Sequence, residues 1–548
     1  MRRPGDPGGS ASRRARAALL AVLLVLVLPA AASPPASEPE ALAWSLRGLY
    51  PNTIEPWERW RGRPMARMPD GREVPRETAF RDDPAFAAAA EHLLASGKGD
   101  DAPLGAWLLG TVPATRLAEV EPVLLGVLSH SDRRAGFEAA MALAEVGGAK
   151  CRDALARAAR TAGSAEVRAA AAWSAQEVGR RLGEAETVPL SPVPADGVVP
   201  LAPAFRRGVS WWLSEGRGDD GRSSFRGLAA LGVTWVSIHT WDPLQNGLYD
   251  PVLSPRSRRF GVRNLQALVA NAHSAGLAVL FKPHLEMRGY WPTAEERRIL
   301  RGPDPEARHR VIARIEALSA GREHGGHNRL SMRTDADWAR WFESYQDYIL
   351  PYARDAQAAG ADMFCVGREL DSSMVQREAD WRRLIARIRD EFDGPLVYSA
   401  NFDSWDGIQL WDALDFIGVS AYFPLSDRAD PSLGELEAGW ARALEPLEAA
   451  SKRWGRPVLL TEAGFPSIAS AARSPWKEEK TRADVWLQSR CYEATLRALA
   501  DRPWIEGAFF WLWERSSEPA FRDPSHTIKG KPAMFVMGRW YEAGRGRS

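Results

Sequence analysis

The chain has little cysteine, almost no net charge, and no motif that would commit it to nucleotides, metals or a serine nucleophile. Its three cysteines, Cys151, Cys365 and Cys491, stand far apart. They show no metal-ligand spacing and imply no disulfide framework. Cys365 falls in an apolar strand-like run and Cys491 in a helical one, so both read as buried thiols. The 71 basic residues nearly balance the 70 acidic ones, for a net charge of +1, so no nucleic-acid partner is expected. No Gly-rich phosphate turn follows an early strand, as a doubly wound dinucleotide fold would require. No Gly-x-Ser-x-Gly elbow is present, which argues against a serine hydrolase. His324 and His327 lie in a Gly-rich loop without an evident third ligand, a poor start for a metal site. Neither metal nor organic cofactor is expected.

Tryptophan, by contrast, is abundant. The chain carries 23 of them, and in the C-terminal part they cluster with Tyr and Phe near predicted strand ends. An indole face suits a sugar ring, whose CH groups pack on it while the rim hydroxyls stay hydrogen-bonded. Other members of the set would simply fill the core. At 548 residues the chain is too long for one ordinary domain.

The N-terminal segment reads as a targeting sequence. Arg2, Arg3, Arg13, Arg14 and Arg16 precede an apolar run from Ala17 to Leu28, then Pro29 and Ala30, Ala31 and Ala32. This order marks residues 1–33 as a secretory signal peptide, so the protein is expected in the periplasm or outside the cell. The run is short for a membrane span, and none is expected once the signal is removed.

Residues 34–186 read as a helical domain. Ala and Leu recur at three- and four-residue spacing from Arg134 to Glu145 and again from Val167 to Glu177, each stretch led in by a polar pair that can cap a helix. The spacing of the two resembles HEAT-type repeats, which leaves room for a protein partner on this domain. An Ala-rich bundle packed beside an enzyme domain explains the same pattern. Residues 187–204 form a Pro-rich linker with Pro189, Pro192, Pro194, Pro200 and Pro203.

From 205 to 545 apolar strand-like runs alternate with amphipathic helical stretches, the βα pattern of a parallel sheet. The candidate strands are Gly208–Trp212, Thr234–His239, Ala278–Pro283, Met363–Gly367, Leu396–Ala400, Phe416–Ala421, Pro457–Thr461 and Gly507–Trp511. The fold class is therefore α/β, a (β/α)8 TIM barrel preceded by an all-α domain. Tyr290 to Arg333 is too long for a simple βα loop and reads as a helical excursion over the barrel mouth.

A TIM barrel carries its chemistry at the C-terminal ends of its strands. Read in order, those ends offer Trp211 and Trp212, His239 and Trp241, Lys282 and His284 with Glu286 beyond, Arg368 and Glu369, Asn401, Tyr422, Glu462, and finally Trp511, Trp513 and Glu514. Glu369 and Glu462 each follow a buried apolar run, and two acids facing one cleft can cleave a glycosidic bond. Glu286 and Glu514 are rival carboxylates, each read as a hydroxyl ligand or an Arg partner, while Asp403 and Asp406 read as loop caps.

The barrel resembles the glycoside hydrolases of the large retaining clan with its two glutamates after strands four and seven, and most closely the β-mannanase-like family 113. The resemblance runs over Arg207–Trp212, Leu228–Ser237, Lys282–His284, Gly367–Leu370, Tyr422 and Thr461–Gly464. It implies that Glu369 is the general acid/base and Glu462 the nucleophile, with carboxyls about 5–5.5 Å apart. It further implies that Tyr422 donates to Glu462, that Lys282, His284 and Asn401 bind sugar hydroxyls, and that Trp211, Trp241 and Trp511 form stacking floors. His239, Trp513 and Glu514, read from the strand ends, complete the expected substrate-binding set. The expected substrate is an oligo- or polysaccharide of β-linked hexosyl units, such as a mannan. One departure is Arg368, which stands where much of the clan has Asn; it is expected to point away from Glu369 or to pair with another carboxylate. The alternative reading is a non-catalytic carbohydrate-binding or envelope-assembly protein on a degenerate barrel.

Overall fold

The computed structural model describes residues 65–67, 73–75, 86–96, 101–112, 116–183, 200–212, 221–240, 242–245, 262–287, 310, 330, 332, 334–477, 479, 481, 483–514 and 520–543. The signal segment 1–33, most of the Pro-rich linker, most of the stretch from Tyr290 to Arg333, and Trp241, His324 and His327 lie outside the described residues.

Eight strands close into a barrel. They are β1 (Arg206–Trp212), β2 (Trp235–His239), β3 (Ala278–Lys282), β4 (Met363–Arg368), β5 (Leu396–Asn401), β6 (Ile417–Ser420), β7 (Val458–Ala463) and β8 (Ile505–Trp513). Each pairs in parallel with its chain neighbour, and β8 returns to pair with β1, Gly507 opposite Arg206. Most are short apolar runs, because a strand covered by helices outside and by its own barrel inside has no solvent face to reserve for polar residues; β1 opens instead on Arg206 and Arg207. The helices that cover them are punctuated by local chemistry. Asp335–Ala359 starts at Thr334, whose side chain accepts from the Asp337 N–H, and stops at left-handed Gly360. Leu433–Trp454 begins with a full capping box between Ser432 and Glu435 and ends at left-handed Gly455.

The barrel interior is layered. Leu280, Met363, Cys365, Val397, Phe416, Leu459 and Phe509 form an apolar plug. Nearer the C-terminal ends lies a layer of hydroxyls, where Ser399 Oγ sits 3.0 Å from Ser420 Oγ and 2.7 Å from Thr461 Oγ1. The plug closes the barrel below, and the hydroxyl layer gives the carboxylates above it a polar bed. Past the mouth the chain forms a further parallel pair, Asp242–Gln245 with Leu285–Met287, just beyond β2 and β3.

Before the barrel lie the helices Phe86–Ala95, Asp101–Leu109, Leu117–Val127, Arg133–Val146, Ala149–Thr161 and Ala165–Arg181. Their apolar faces belong to one cluster that continues into the outer layer of the barrel. Phe535, on the last barrel helix Pro532–Ala543, takes the edges of Phe137 at 5.8 Å and Trp173 at 6.3 Å. Arg133 lies over the Trp486 ring at 4.0 Å. Glu138, itself buried, accepts the backbone N–H of Ala520 at 2.9 Å in the segment that follows β8. The contact is therefore made by aromatic burial at about 1.5–3 kcal/mol per ring, with one carboxylate in its middle. Among the described residues no helix is long and apolar enough to cross a membrane.

Candidate active site

Glu462 sits one residue before the end of β7 and is almost fully buried. Lys282 Nζ, at the last position of β3, donates to its Oε1 at 2.6 Å, and Tyr422 Oη donates to its Oε2 at 2.8 Å. Burial pushes the carboxyl pKa up, but the Lys282 ammonium and then the Arg368 guanidinium outweigh it and hold the group well below the ordinary range. Glu462 is thus a carboxylate kept ionised in a dry site.

Glu369 follows β4 directly. Its φ is 51°, the only positive φ outside glycine among the described residues. A left-handed conformation at a glutamate costs about 1–3 kcal/mol unless its surroundings enforce it. Here its N–H donates to Ser399 O at 2.8 Å, and the next N–H, of Leu370, donates to Tyr398 Oη at 2.6 Å. Gly367 leads into the turn because a Cβ there would meet Tyr345 Oη at 3.1 Å and the Trp381 and Tyr398 rings at 3.2 Å. The Glu369 carboxyl is buried, and that burial, reinforced by the Glu462 charge, lifts its pKa above the ordinary value against the opposing pull of Arg368 and Lys282. Two buried glutamates at one mouth are thereby pushed in opposite directions, the pattern that separates an acid from a base.

Arg368 was expected to point away from Glu369 or to pair with another carboxylate; instead it lies against Glu369, with Glu462 farther off. Its Nη1 lies 3.2 Å from Glu369 Oε2 and 4.0 Å from Glu462 Oε1. Those two oxygens therefore cannot be more than about 7 Å apart, within the span over which two acids flank one glycosidic bond. Burial outweighs the adjacent guanidinium, so the Glu369 carboxyl is still pushed up.

The profile of Glycoside Hydrolase Family 113 matches residues 317–531. Among solved structures, the GH113 β-mannanase AaManA from Alicyclobacillus acidocaldarius, determined in complex with ManMIm, is 27% identical; the match covers 62% of this chain and 98% of that one, with a TM-score of 0.50. A second structure, a complex of a GH113 β-1,4-mannanase, is 25% identical over 62% of this chain and 99% of that one, at a TM-score of 0.48. No curated protein matches. This barrel is a GH113-like glycoside hydrolase.

In this glycoside hydrolase the strand register gathers the other rim groups. Trp212 pairs with His239 and His239 with Lys282, so the last residues of β1, β2 and β3 share one layer. His239 stacks on Trp212 at 5.8 Å and meets the Trp511 edge at 5.1 Å, and the His284 ring lies edge-on to Trp212 at 5.4 Å. Burial, then the Lys282 charge, holds the His239 imidazole neutral. Trp511 is half-buried at the mouth. The Asn401 N–H donates to Asp371 Oδ2 at 2.8 Å, which fixes the end of β5.

Two expected aromatics do not face the mouth. Trp211 is buried against Phe225 of the outer helix Arg222–Ala230, with ring centroids 5.2 Å apart. Alternation along β1 sends Trp211 outward and Trp212 inward. Trp513 is buried near Gly227 of the same outer helix; simple alternation would put it on the face of Trp511, but the register with β1 shifts between Phe510 and Trp513. Glu514 is exposed, its backbone tied to Thr527. Trp241 and the Glu286 side chain lie outside the described residues.

Asp371 was not singled out from the sequence. It is buried and accepts from Tyr398 Oη at 2.6 Å, Asn401 N at 2.8 Å and Ser404 Oγ at 2.5 Å. Burial lifts its carboxyl to about 6 against those three donors. It ties the turn that holds Glu369 to the end of β5. The available signal was its place two residues past Glu369, followed by Ser372 and Ser373, at the start of the helix Asp371–Gln376.

Proposed function

We propose that this exported glycoside hydrolase cleaves β-linked hexosyl polymers, mannan-type chains first, with retention of anomeric configuration. The observation that carries the reading is the split between Glu462, bonded by Lys282 and Tyr422 and held low, and Glu369, whose carboxyl burial pushes up. The likeness to a β-mannanase supports the choice of sugar.

Glu462 Oε attacks the anomeric carbon as Glu369 protonates the departing glycosidic oxygen, and a glycosyl ester forms on Glu462. Esterification removes the Glu462 charge that had helped push the Glu369 carboxyl up. Arg368 then remains beside Glu369 and favours the ionised form. Glu369 can therefore accept a proton from the incoming water, and the ester is hydrolysed to a product of retained configuration. Lys282 and Tyr422 match the charge of Glu462 before attack and after deacylation, so little reorganisation is needed in either direction. Arg368 also presents N–H donors to a hydroxyl of the reacting sugar, at the place where much of the clan offers an Asn.

Following the anomeric proton by NMR during hydrolysis of a β-manno-oligosaccharide tests the reading. The β-anomer should appear first and mutarotate afterwards. Initial release of the α-anomer would overturn double displacement, and the absence of turnover on β-manno-, β-gluco- and mixed-linkage oligomers would overturn the substrate class.

A further inference from the structure

Among the described residues three large hydrophobic side chains are exposed, Leu182, Val375 and Trp476, and Trp476 alone is aromatic. It is 43% exposed and lies in the segment between β7 and the helix Val485–Ala500. Its ring stacks on Phe402 with centroids 4.9 Å apart and an interplanar angle of 23°. Phe402 is the residue after β5, next to Asn401, and its ring meets the Phe423 edge at 6.0 Å. Phe423 follows Tyr422, which holds Glu462. An exposed indole therefore lies on Phe402, the residue directly after Asn401, on loops at the C-terminal end of the barrel.

Much of the Trp476 ring faces water, and Phe402 claims one of its faces. The other face is a flat apolar platform on the side of the barrel that carries the strand C-terminal ends. The residues next to the pair, Asp403 and Lys477, are exposed and polar, the flanking chemistry that a ring with apolar faces and a hydroxyl rim requires.

We propose that Trp476, backed by Phe402, forms an outer sugar-binding subsite that takes a hexosyl ring of an extended oligo- or polysaccharide beyond the two rings at the scissile bond. The inference rests on the glycoside hydrolase reading and extends it: the enzyme is shaped for chains rather than for single terminal sugars, and Trp476 sets its preference for length.

The test compares kcat/KM for an aryl β-mannoside, which occupies only the reacting subsite and its neighbour, with kcat/KM for β-1,4-linked manno-oligosaccharides of increasing length, in the unmodified enzyme and in Trp476→Ala, Trp476→Phe and Phe402→Ala. In the unmodified enzyme kcat/KM should climb with chain length. In Trp476→Ala the long-to-short ratio should fall roughly tenfold, through KM, as expected for one lost stacking contact. Trp476→Phe should recover part of the ratio, and Phe402→Ala should fall between the two. A loss of equal size on short and long substrates would mean that Trp476 merely supports the loop, and would overturn the subsite. An unchanged ratio in Trp476→Ala would overturn it as well. An unmodified enzyme inactive on the aryl glycoside and on every oligomer would overturn the underlying reading and the subsite with it.

Discussion

Glu138 and Glu462 are both buried glutamates, one where the helical domain meets the barrel and the other in the barrel mouth, and their surroundings drive them apart. Around Glu138 burial dominates; two backbone N–H groups, from Ala520 and Phe521, offset it only in part, and its pKa rises to about 8. Around Glu462 burial is as complete, but Lys282 and Arg368 bring cations and Tyr422 a hydroxyl, and the carboxyl is held down. The same side chain becomes a neutral bridge in one place and a poised anion in the other. What separates them is the presence of a partner charge that stayed in the dry site when water left.

The sharpest way to break the contrast is to remove the anion. Glu462→Ala should lower kcat by at least about a thousandfold and lower the melting temperature as well, since the buried Lys282 loses the carboxylate it donates to. Kinetics together with a thermal melt check this, and a variant with full activity would remove Glu462 from the mechanism. Next in size is the partner charge. Lys282→Met should cost about a hundredfold in kcat/KM and move the acid limb of the pH–rate profile to higher pH, because Glu462 then keeps the burial and loses its strongest counterweight. An unmoved acid limb would show that Lys282 does not set that ionisation. Tyr422→Phe removes a single hydrogen bond to the same carboxylate and should cost about tenfold, in kcat more than in KM.

The smallest effect lies at the other glutamate, and it appears in stability rather than in rate. Unfolded, the Glu138 proton leaves near the ordinary pKa of 4.5; folded, it is held up to about 8. Between those values the folded chain binds the extra proton, so stability falls as pH rises, by up to about 1.4 kcal/mol per pH unit. Glu462 acts with the opposite sign: it contributes stability above its unfolded value of 4.5 that is lost as pH falls below it. Glu138→Gln should therefore flatten the decline of melting temperature between pH 5 and 8 and leave kcat within about twofold. Melts across that range decide it, and parallel curves for the two proteins would mean that Glu138 is not the group responsible.

The barrel was legible because most of its strands are dense apolar runs, and a run buried on both faces leaves little room for another reading. Leu396–Asn401 and Val458–Ala463 emerged within two residues of their expected limits. Glu369 and Glu462 were legible for the same reason, since a carboxylate directly after such a run has to stand at the mouth. The direction of a tryptophan at the end of β1 was readable in principle from the two-residue alternation, yet the Trp211-Trp212 doublet hides it; only the register with His239 and Lys282 decides that Trp212 faces the sugar side. Arg368 could not be placed from sequence, because its contacts depend on the left-handed turn at Glu369. Glu138 was invisible for a different reason. On an Ala-rich helix it looks like a solvent-facing charge, and its partner, Ala520, is 382 positions away.

The central claim is that Glu462, kept ionised by Lys282 and Tyr422, forms the covalent bond to the sugar. Incubation with a 2-deoxy-2-fluoro-β-mannosyl fluoride, followed by proteolysis and mass spectrometry, tests it directly. One fluorosugar per chain is expected, on the peptide that contains Glu462, with release restored by an acceptor sugar. A label on Glu369, or rapid turnover of ordinary substrates with no label on either glutamate, would contradict the claim.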